Sequence, residues 1–359
     1  MVKNYIKRAI KKQVMKKILC ILFVISLLLF LGSCSEKQEV PTEQQQIMEE
    51  QQPTEEVTAE ETPVDYTISD FTPPTGKAEG PDDDNPWNSR MLFATSEEGI
   101  TWTKTNQLIA DQANVPSAVV KDGRIFAYHV TWFEPLRNSV VVAISEDNGE
   151  TWVFKKVIVE GIEGGMRPAT DPCVVLLEDG TFRLYFTSEK PGVGHPEVFS
   201  AISVDGINFI LEDGVRFSIT EAGDKVIDPT VLKIGDTWHL YTLYLGGSQG
   251  NFHATSKDGL TFTEQDTIKE NMILSNGITM DGVSRFYGFK HTADKDSKYA
   301  FEIDSWTSED GFTWIMDEGV RLVYDKENKM EKNFVKDPAV VQLEDGTYMM
   351  FYITAIPDE

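Results

Sequence analysis

Three aspartates stand directly before proline at matching places in the chain: Asp171-Pro172, Asp228-Pro229 and Asp337-Pro338. Carboxylates brought close together repel, so one keeps its proton while another stays ionised. A proton donor beside a proton acceptor is what cleavage of a glycosidic bond requires. Proline in second place holds each Asp in an extended approach. Other groups of suitable chemistry lie nearby: His129, Trp132 and Glu134 in AYHVTWFEP, Arg167 in MRPATDP, and Glu189, His195 and Glu197 in SEKPGVGHPEVF. Asn276 opens NGITMDG and His291 closes GFKH. Glu134 or Glu189 is a candidate general acid, and Trp132 a platform for a sugar ring. Arg167, His129, Asn276 and His291 are candidates for substrate binding. The plainer reading is that Asp-Pro caps a strand and that the others are rim or packing residues.

Two interleaved repeats must position these groups. The first reads SEEGITW (from Ser96), SEDNGETW (from Ser145), SVDGINF (from Ser203), SKDGLTF (from Ser256) and SEDGFTW (from Ser308). Its glycines, Gly99, Gly149, Gly206, Gly259 and Gly311, recur about every 50–57 residues, a period that indicates a propeller or solenoid. An Asp side chain that bonds the backbone two residues on, followed by Gly with positive φ, makes a tight turn between strands. The closing Trp or Phe starts the next strand and packs between neighbouring sheets. Glu98 replaces Asp in the first copy, which predicts a looser turn there. These turns are expected to be structural.

The second repeat reads VPSAVVKDG (from Val115), DPCVVLLEDG (from Asp171), DPTVLKIGD (from Asp228), NGITMDG (from Asn276) and DPAVVQLEDG (from Asp337). An aromatic-rich run follows each, which predicts a strand, a turn and a second strand. Asn276 breaks the Asp series, so the fourth unit offers a neutral hydrogen-bonding group instead. The chain starts with a turn half, Arg90 to about Leu108, and ends with a hairpin half, Phe334 to Thr354. Joining these halves closes a ring and removes exposed sheet edges. The expected fold is all-β, a five-bladed β-propeller of four-stranded antiparallel blades over residues 85–359. A sixth blade would need a unit that the sequence does not contain. Radial symmetry would bring the three aspartates to the central cavity.

Residues 1–33 read as a secretory signal: a basic start, then the apolar run Ile18–Leu31, short for a membrane span. Residues 34–84 are rich in Glu, Gln, Pro and Thr, and read as an acidic disordered tether with a reach of roughly 40 Å. The net charge of −25 speaks against nucleic acid as a partner. Cys173 is the one cysteine inside the propeller region, so no disulfide is expected there, and a buried, inert thiol is. No Cys/His spacing indicates a metal site. Calcium near the channel would suit carboxylates and carbonyls, but no ligand spacing demands it.

The turn segments resemble the Asp-box, or BNR repeat, of sialidases. Leu31-Gly32-Ser33-Cys34 resembles a bacterial lipobox, which implies lipid attachment at Cys34 and a monomer anchored outside the cytoplasm. The blade count and the Asp-Pro starts resemble the five-bladed arabinanase, β-xylosidase and invertase-like superfamily across the folded part. That resemblance implies a glycosidase in which one Asp acts as base or nucleophile, another Asp tunes it, and a Glu is the acid. Asp171, Asp228 and Asp337 match the Asp positions, in no assigned order, while no Glu stands at an equivalent strand start. Sialidases have six blades and three arginines gripping the substrate carboxylate. Only Arg167-Pro168 is similar here, which makes an exo-sialidase the weaker reading. The leading expectation is a surface hydrolase of a neutral oligo- or polysaccharide. The alternatives are a carbohydrate-binding propeller without catalysis and a scaffold.

Overall fold

The structure is a computed structural model and describes residues 64–78, 85–219, 226–244, 250–268, 272–280, 282–290 and 302–358. Cys34, the signal segment and His291 lie outside the described residues. Five antiparallel sheets form the compact unit Thr62–Glu359. Blade 1 holds Ala113–Lys121, Arg124–Thr131, Ser139–Ser145 and Val153–Lys156. Blade 2 holds Thr170–Leu176, Phe182–Ser188, Glu197–Ser203 and Asn208–Leu211. Blade 3 holds Val226–Ile234, Thr237–Tyr244, Gly250–Ser256 and Thr263–Glu264. Blade 4 holds Ile273–Met280, Val283–Phe289, Glu302–Ser308 and Ile315–Met316. Blade 5 takes Lys336–Gln342 and Tyr348–Ala355 from one end of the unit and Ser89–Ser96 and Thr103–Asp111 from the other. Ser89–Ser96 pairs with Tyr348–Ala355 through eight consecutive residues, which closes the ring. The innermost strand of each blade packs against those of its two neighbours.

Blades 2 and 4 depart from the expected four strands. Ile158–Glu160 adds to the outer edge of blade 2 in parallel, and Leu322–Val323 pairs with Glu302–Ser308 in blade 4. Both blades also carry a buried arginine in a shared segment, EDGVRF from Glu212 and DEGVRL from Asp317. Arg216 donates to the Leu260 carbonyl of blade 3 at 3.0 Å. Arg321 donates to the Gly319 carbonyl at 2.6 Å.

The turns follow the chemistry of their residues. In all five, the leading Ser Oγ accepts the glycine N–H at 2.8–3.0 Å. The acid then accepts an N–H from the residue beyond. Glu98 does this to Thr101 at 2.8 Å, the distance that Asp147 keeps to Thr151, so the first turn is not the looser one expected. The longer Glu side chain reaches the same donor.

A second function of these turns joins the blades. Tyr128, Tyr185, Tyr241 and Tyr287, each in the second strand of its blade, donate a hydrogen bond to the turn glycine of the next blade. Their acceptors are the carbonyls of Gly206, Gly259, Gly311 and Gly99, at 2.6, 2.8, 2.8 and 2.8 Å. Gly206 has φ +75°, and a Cβ there would stand 2.8 Å from the Tyr128 hydroxyl, so glycine is needed for both the turn and the contact. The aromatic residue ending each turn meets the same tyrosine edge-on, as Phe262 meets Tyr185 at 6.2 Å. At the seam between blades 5 and 1 the position is Phe351, which packs on Trp152 at 5.9 Å and has no hydroxyl to donate.

The expectation of a solvated tether over 34–84 does not hold for residues 64–78. Tyr66 packs edge-on against Phe126 and donates to the Asp205 carbonyl at 2.9 Å. The Asp70 N–H bonds the Phe154 carbonyl at 2.8 Å, on the outer strand of blade 1. Phe71 meets Phe133 and Phe154, and the Gly76 N–H bonds Asp111 at 2.6 Å. Lys77 pairs with Asp358. Two aromatics spaced along a polar segment are enough to dock it where a strand edge supplies backbone partners.

Candidate active site

Near the start of the inner strand of four blades one residue is held at positive φ: Val115 (48°), Asp171 (50°), Asp228 (52°) and Asp337 (49°). Each pairing register skips at this residue and its proline, for instance between Thr170 and Cys173. The break in alternation turns the side chain toward the axis. Asp tolerates this backbone region far better than a β-branched residue, so Val115 is strained where Asp would be relaxed.

Asp171, Asp228 and Asp337 line one cavity of about 270 Å³ at the mouth of the ring. Asn114, Val115, Val130 and Trp132 of blade 1 complete it, with Leu243, Ile273, Phe289, Lys336 and Pro86. Pro86 arrives on a short 3-10 turn, Pro86–Asn88, whose Trp87 meets Trp132 edge-on at 5.9 Å. The Arg137 guanidinium lies 5.5 Å over the Trp87 ring. One wall of the mouth is therefore aromatic.

The carboxylates differ in their surroundings. Burial raises Asp171 to about 6, against nearby polar groups that pull it down, among them the Thr170 hydroxyl, which donates to it at 3.3 Å. Burial raises Asp228 well above the usual carboxylate range, and the charges of Asp171 and Asp337 push it further. Asp337 has Lys336 Nζ at 2.9 Å from its Oδ2. Asp228 is thus driven toward its protonated form beside a carboxylate that faces a cation.

The other expected site residues fall elsewhere. Glu134 is exposed and does not line the cavity. Glu189 is on the rim, ion-paired to the exposed Arg167 at 3.3 Å. His129 is buried inside the sheet, where desolvation lowers it to about 4, and does not line the cavity. Among the described residues no Glu and no Arg lines the mouth. Arg90, Arg183 and Arg285 are held by Asp111, Glu212 and Asp317 at 2.8–3.0 Å, so their guanidinium groups serve the blades. No group of three or more His, Cys, Asp or Glu among the described residues is spaced to hold a metal ion.

Asn276 does not replace the missing fourth Asp. Blade 4 skips one residue, Ser275, where the others skip two, so Asn276 aligns with Ser117, Cys173, Thr230 and Ala339. These residues form a belt across the channel. Ser117 Oγ accepts the Val174 N–H at 2.9 Å, Cys173 Sγ the Val231 N–H at 3.2 Å, and Asn276 Oδ1 the Val340 N–H at 3.0 Å. Cys173 is thus an acceptor between blades, and burial pushes its thiol up to about 12. The belt also borders a second cavity of about 360 Å³, lined largely by apolar groups such as Val119, Leu232, Trp238 and Ile278.

Sequence reasoning missed Lys336, Val115 and the Pro86–Trp87 wall. The Lys-Asp-Pro order and the Val-Pro match were visible, but only the positive φ shows that adjacent side chains reach one cavity.

No family model matches the chain, and no curated protein matches it. Solved structures do. A thermostable family-43 glycoside hydrolase has a TM-score of 0.52 at 14% identity, over 68% of this chain and 88% of its own. A protein of Parabacteroides distasonis, assigned provisionally to the glycoside hydrolases, has a TM-score of 0.52 at 12% identity, over 80% and 97%. A protein of Bacteroides thetaiotaomicron, described provisionally as a glycosidase, has a TM-score of 0.50 at 13% identity, over 68% and 87%. At these identities the likeness is one of fold.

Proposed function

We propose that this chain is a glycoside hydrolase of a neutral oligo- or polysaccharide, held at the cell envelope by a lipid on Cys34. The observation that carries the catalytic reading is the cluster at the mouth, where Asp228 is driven to keep its proton beside Asp337 and its Lys336 partner. Asp228 is the proton donor: it protonates the departing glycosidic oxygen as the bond from that oxygen to the anomeric carbon breaks. Asp337, with the Lys336 ammonium at 2.9 Å, takes a proton from the water that attacks the anomeric carbon. Asp171 keeps Asp228 protonated. Trp132, backed by Trp87, offers its face to the sugar ring. With no Glu lining the mouth among the described residues, the acid role falls to an Asp.

That same lack of Glu favours a second reading, a carbohydrate-binding propeller without catalysis. A hydrolysis screen of the purified protein on arabinan, xylan, fructan and aryl glycosides, with Asp228→Asn and Asp337→Asn beside it, separates the two. Turnover that disappears in either folded variant supports the hydrolase. Saturable glycan binding with no turnover in the unaltered protein sinks it in favour of the binding module.

A further inference from the structure

Lys336 is the one cation that lines the carboxylate mouth among the described residues. It precedes Asp337 in the same strand, where successive side chains normally point to opposite faces. The φ of 49° at Asp337 undoes that alternation. The Lys336 ammonium consequently lies 2.9 Å from Asp337 Oδ2 and 5.7 Å over the centroid of the Phe334 ring. Blade 3 turns Asp228 toward the same space and blade 2 turns Asp171. Blades 1 and 4 and the Pro86 turn contribute Asn114, Val115, Ile273, Phe289 and Pro86, none of which titrates.

We propose that Lys336 is a positioning residue that divides the roles in this cluster, fixing Asp337 as the ionised member so that the proton stays with Asp228. Asp337 is the only one of the three aspartates in an ion pair among the described residues. A cation this close stabilises the charged Asp337 carboxylate; it also draws Asp228 down, but burial and the charges of Asp171 and Asp337 push Asp228 up more strongly. Without Lys336 no cation would single out one of the three aspartates. The consequence for catalysis rests on the hydrolase reading; the charge assignment does not.

The test is a carboxyl 13C NMR titration of the full chain labelled at Asp, with the Asp337 signal assigned by Asp337→Asn. In Lys336→Met the Asp337 midpoint is expected to rise by about 1–3 pH units, as loss of an adjacent cation dictates. Lys336→Arg should return it near its original value. An Asp337 midpoint that stays put in folded Lys336→Met overturns the proposal. If the protein turns over an aryl glycoside, the acidic limb of its kcat/KM profile should rise with the Asp337 midpoint in Lys336→Met and recover in Lys336→Arg. A limb that does not move also overturns the proposal. Absence of turnover strikes the hydrolase reading alone, since the NMR titration still decides the role of Lys336.

Discussion

Aspartate recurs with one period at both faces of this ring, and the two sets behave in opposite ways. In the Ser–acid–Gly turns, Asp147, Asp258 and Asp310 are held below the usual carboxylate range. The Thr151 side chain does this for Asp147, and the backbone N–H groups of Thr261 and Thr313 do it for Asp258 and Asp310. At the mouth, Asp171 and Asp228 are pushed up by burial. Residue type and periodicity are shared. What differs is whether the backbone turns its donors toward the carboxylate or leaves it facing a cavity. A repeated acid in a repeat protein is therefore structural where its hydrogen bonds are met locally, and a site for chemistry where they are not.

The contrast can be broken most sharply at Asp228. We predict that Asp228→Asn lowers hydrolysis by about 10²–10⁴-fold while the protein stays folded, the range for loss of a proton-transfer group. Asp258→Ala is expected to leave turnover per folded molecule unchanged. An equal loss of turnover in both variants would erase the distinction between the two faces.

Stability should respond in the opposite sense. Asp258→Ala removes an acceptor for the Leu260 and Thr261 N–H groups, both at 2.8 Å, and should cost about 1–2 kcal/mol in urea unfolding at pH 7. Asp171→Asn should stabilise instead. The Asp171 carboxyl lies at about 6 in the native state against 3.8 in the unfolded chain, so the native state binds that proton more tightly. Its contribution is complete below pH 4 and is lost as pH rises through 6. The Asn variant carries no such loss. Its advantage should be absent at pH 3.5, grow between pH 4 and 6, and level off near ~3 kcal/mol. A constant difference across this window would show that Asp171 is not the titrating group.

The smallest effects belong to the joints between blades. Tyr185→Phe leaves the Gly259 carbonyl without its donor and should cost about 1 kcal/mol with little change in packing. The seam between blades 5 and 1 has no such bond to lose, so Phe351→Leu should show only the cost of lost aromatic packing, about 1 kcal/mol. A Tyr185→Phe variant as stable as the unaltered protein would mean that ring packing alone holds the blades.

Much of the ring was legible because turn chemistry is local. Gly149 needs its positive φ whatever surrounds it, and Ser145 and Asp147 bond within their own turn, so the period survives in the sequence. The joining of Ser89–Ser96 to Tyr348–Ala355 followed from counting two unmatched halves. The convergence of Asp171, Asp228 and Asp337 was legible for the same reason of symmetry. What stayed hidden depends on single-residue detail. Asn276 changes function because its strand is one residue shorter at the bulge. Lys336 joins the mouth only through the backbone of its neighbour. Residues 64–78 carry the composition of a solvated linker, and composition averages over Tyr66 and Phe71, the two side chains that dock it.

That docked segment gives the ring a mechanical fuse. A pull on the chain ahead of this segment meets Val64 and Tyr66 first, then the Asp70–Phe154 pairing on the outer strand of blade 1, then Gly76 on Asp111 and Lys77 on Asp358. These contacts stand in series ahead of Ser89–Ser96, the strand that closes the ring. Tension would have to strip the strap from blade 1, contact by contact, before any force reached the closure. A chain held from that side would shed its strap before its mouth changed shape.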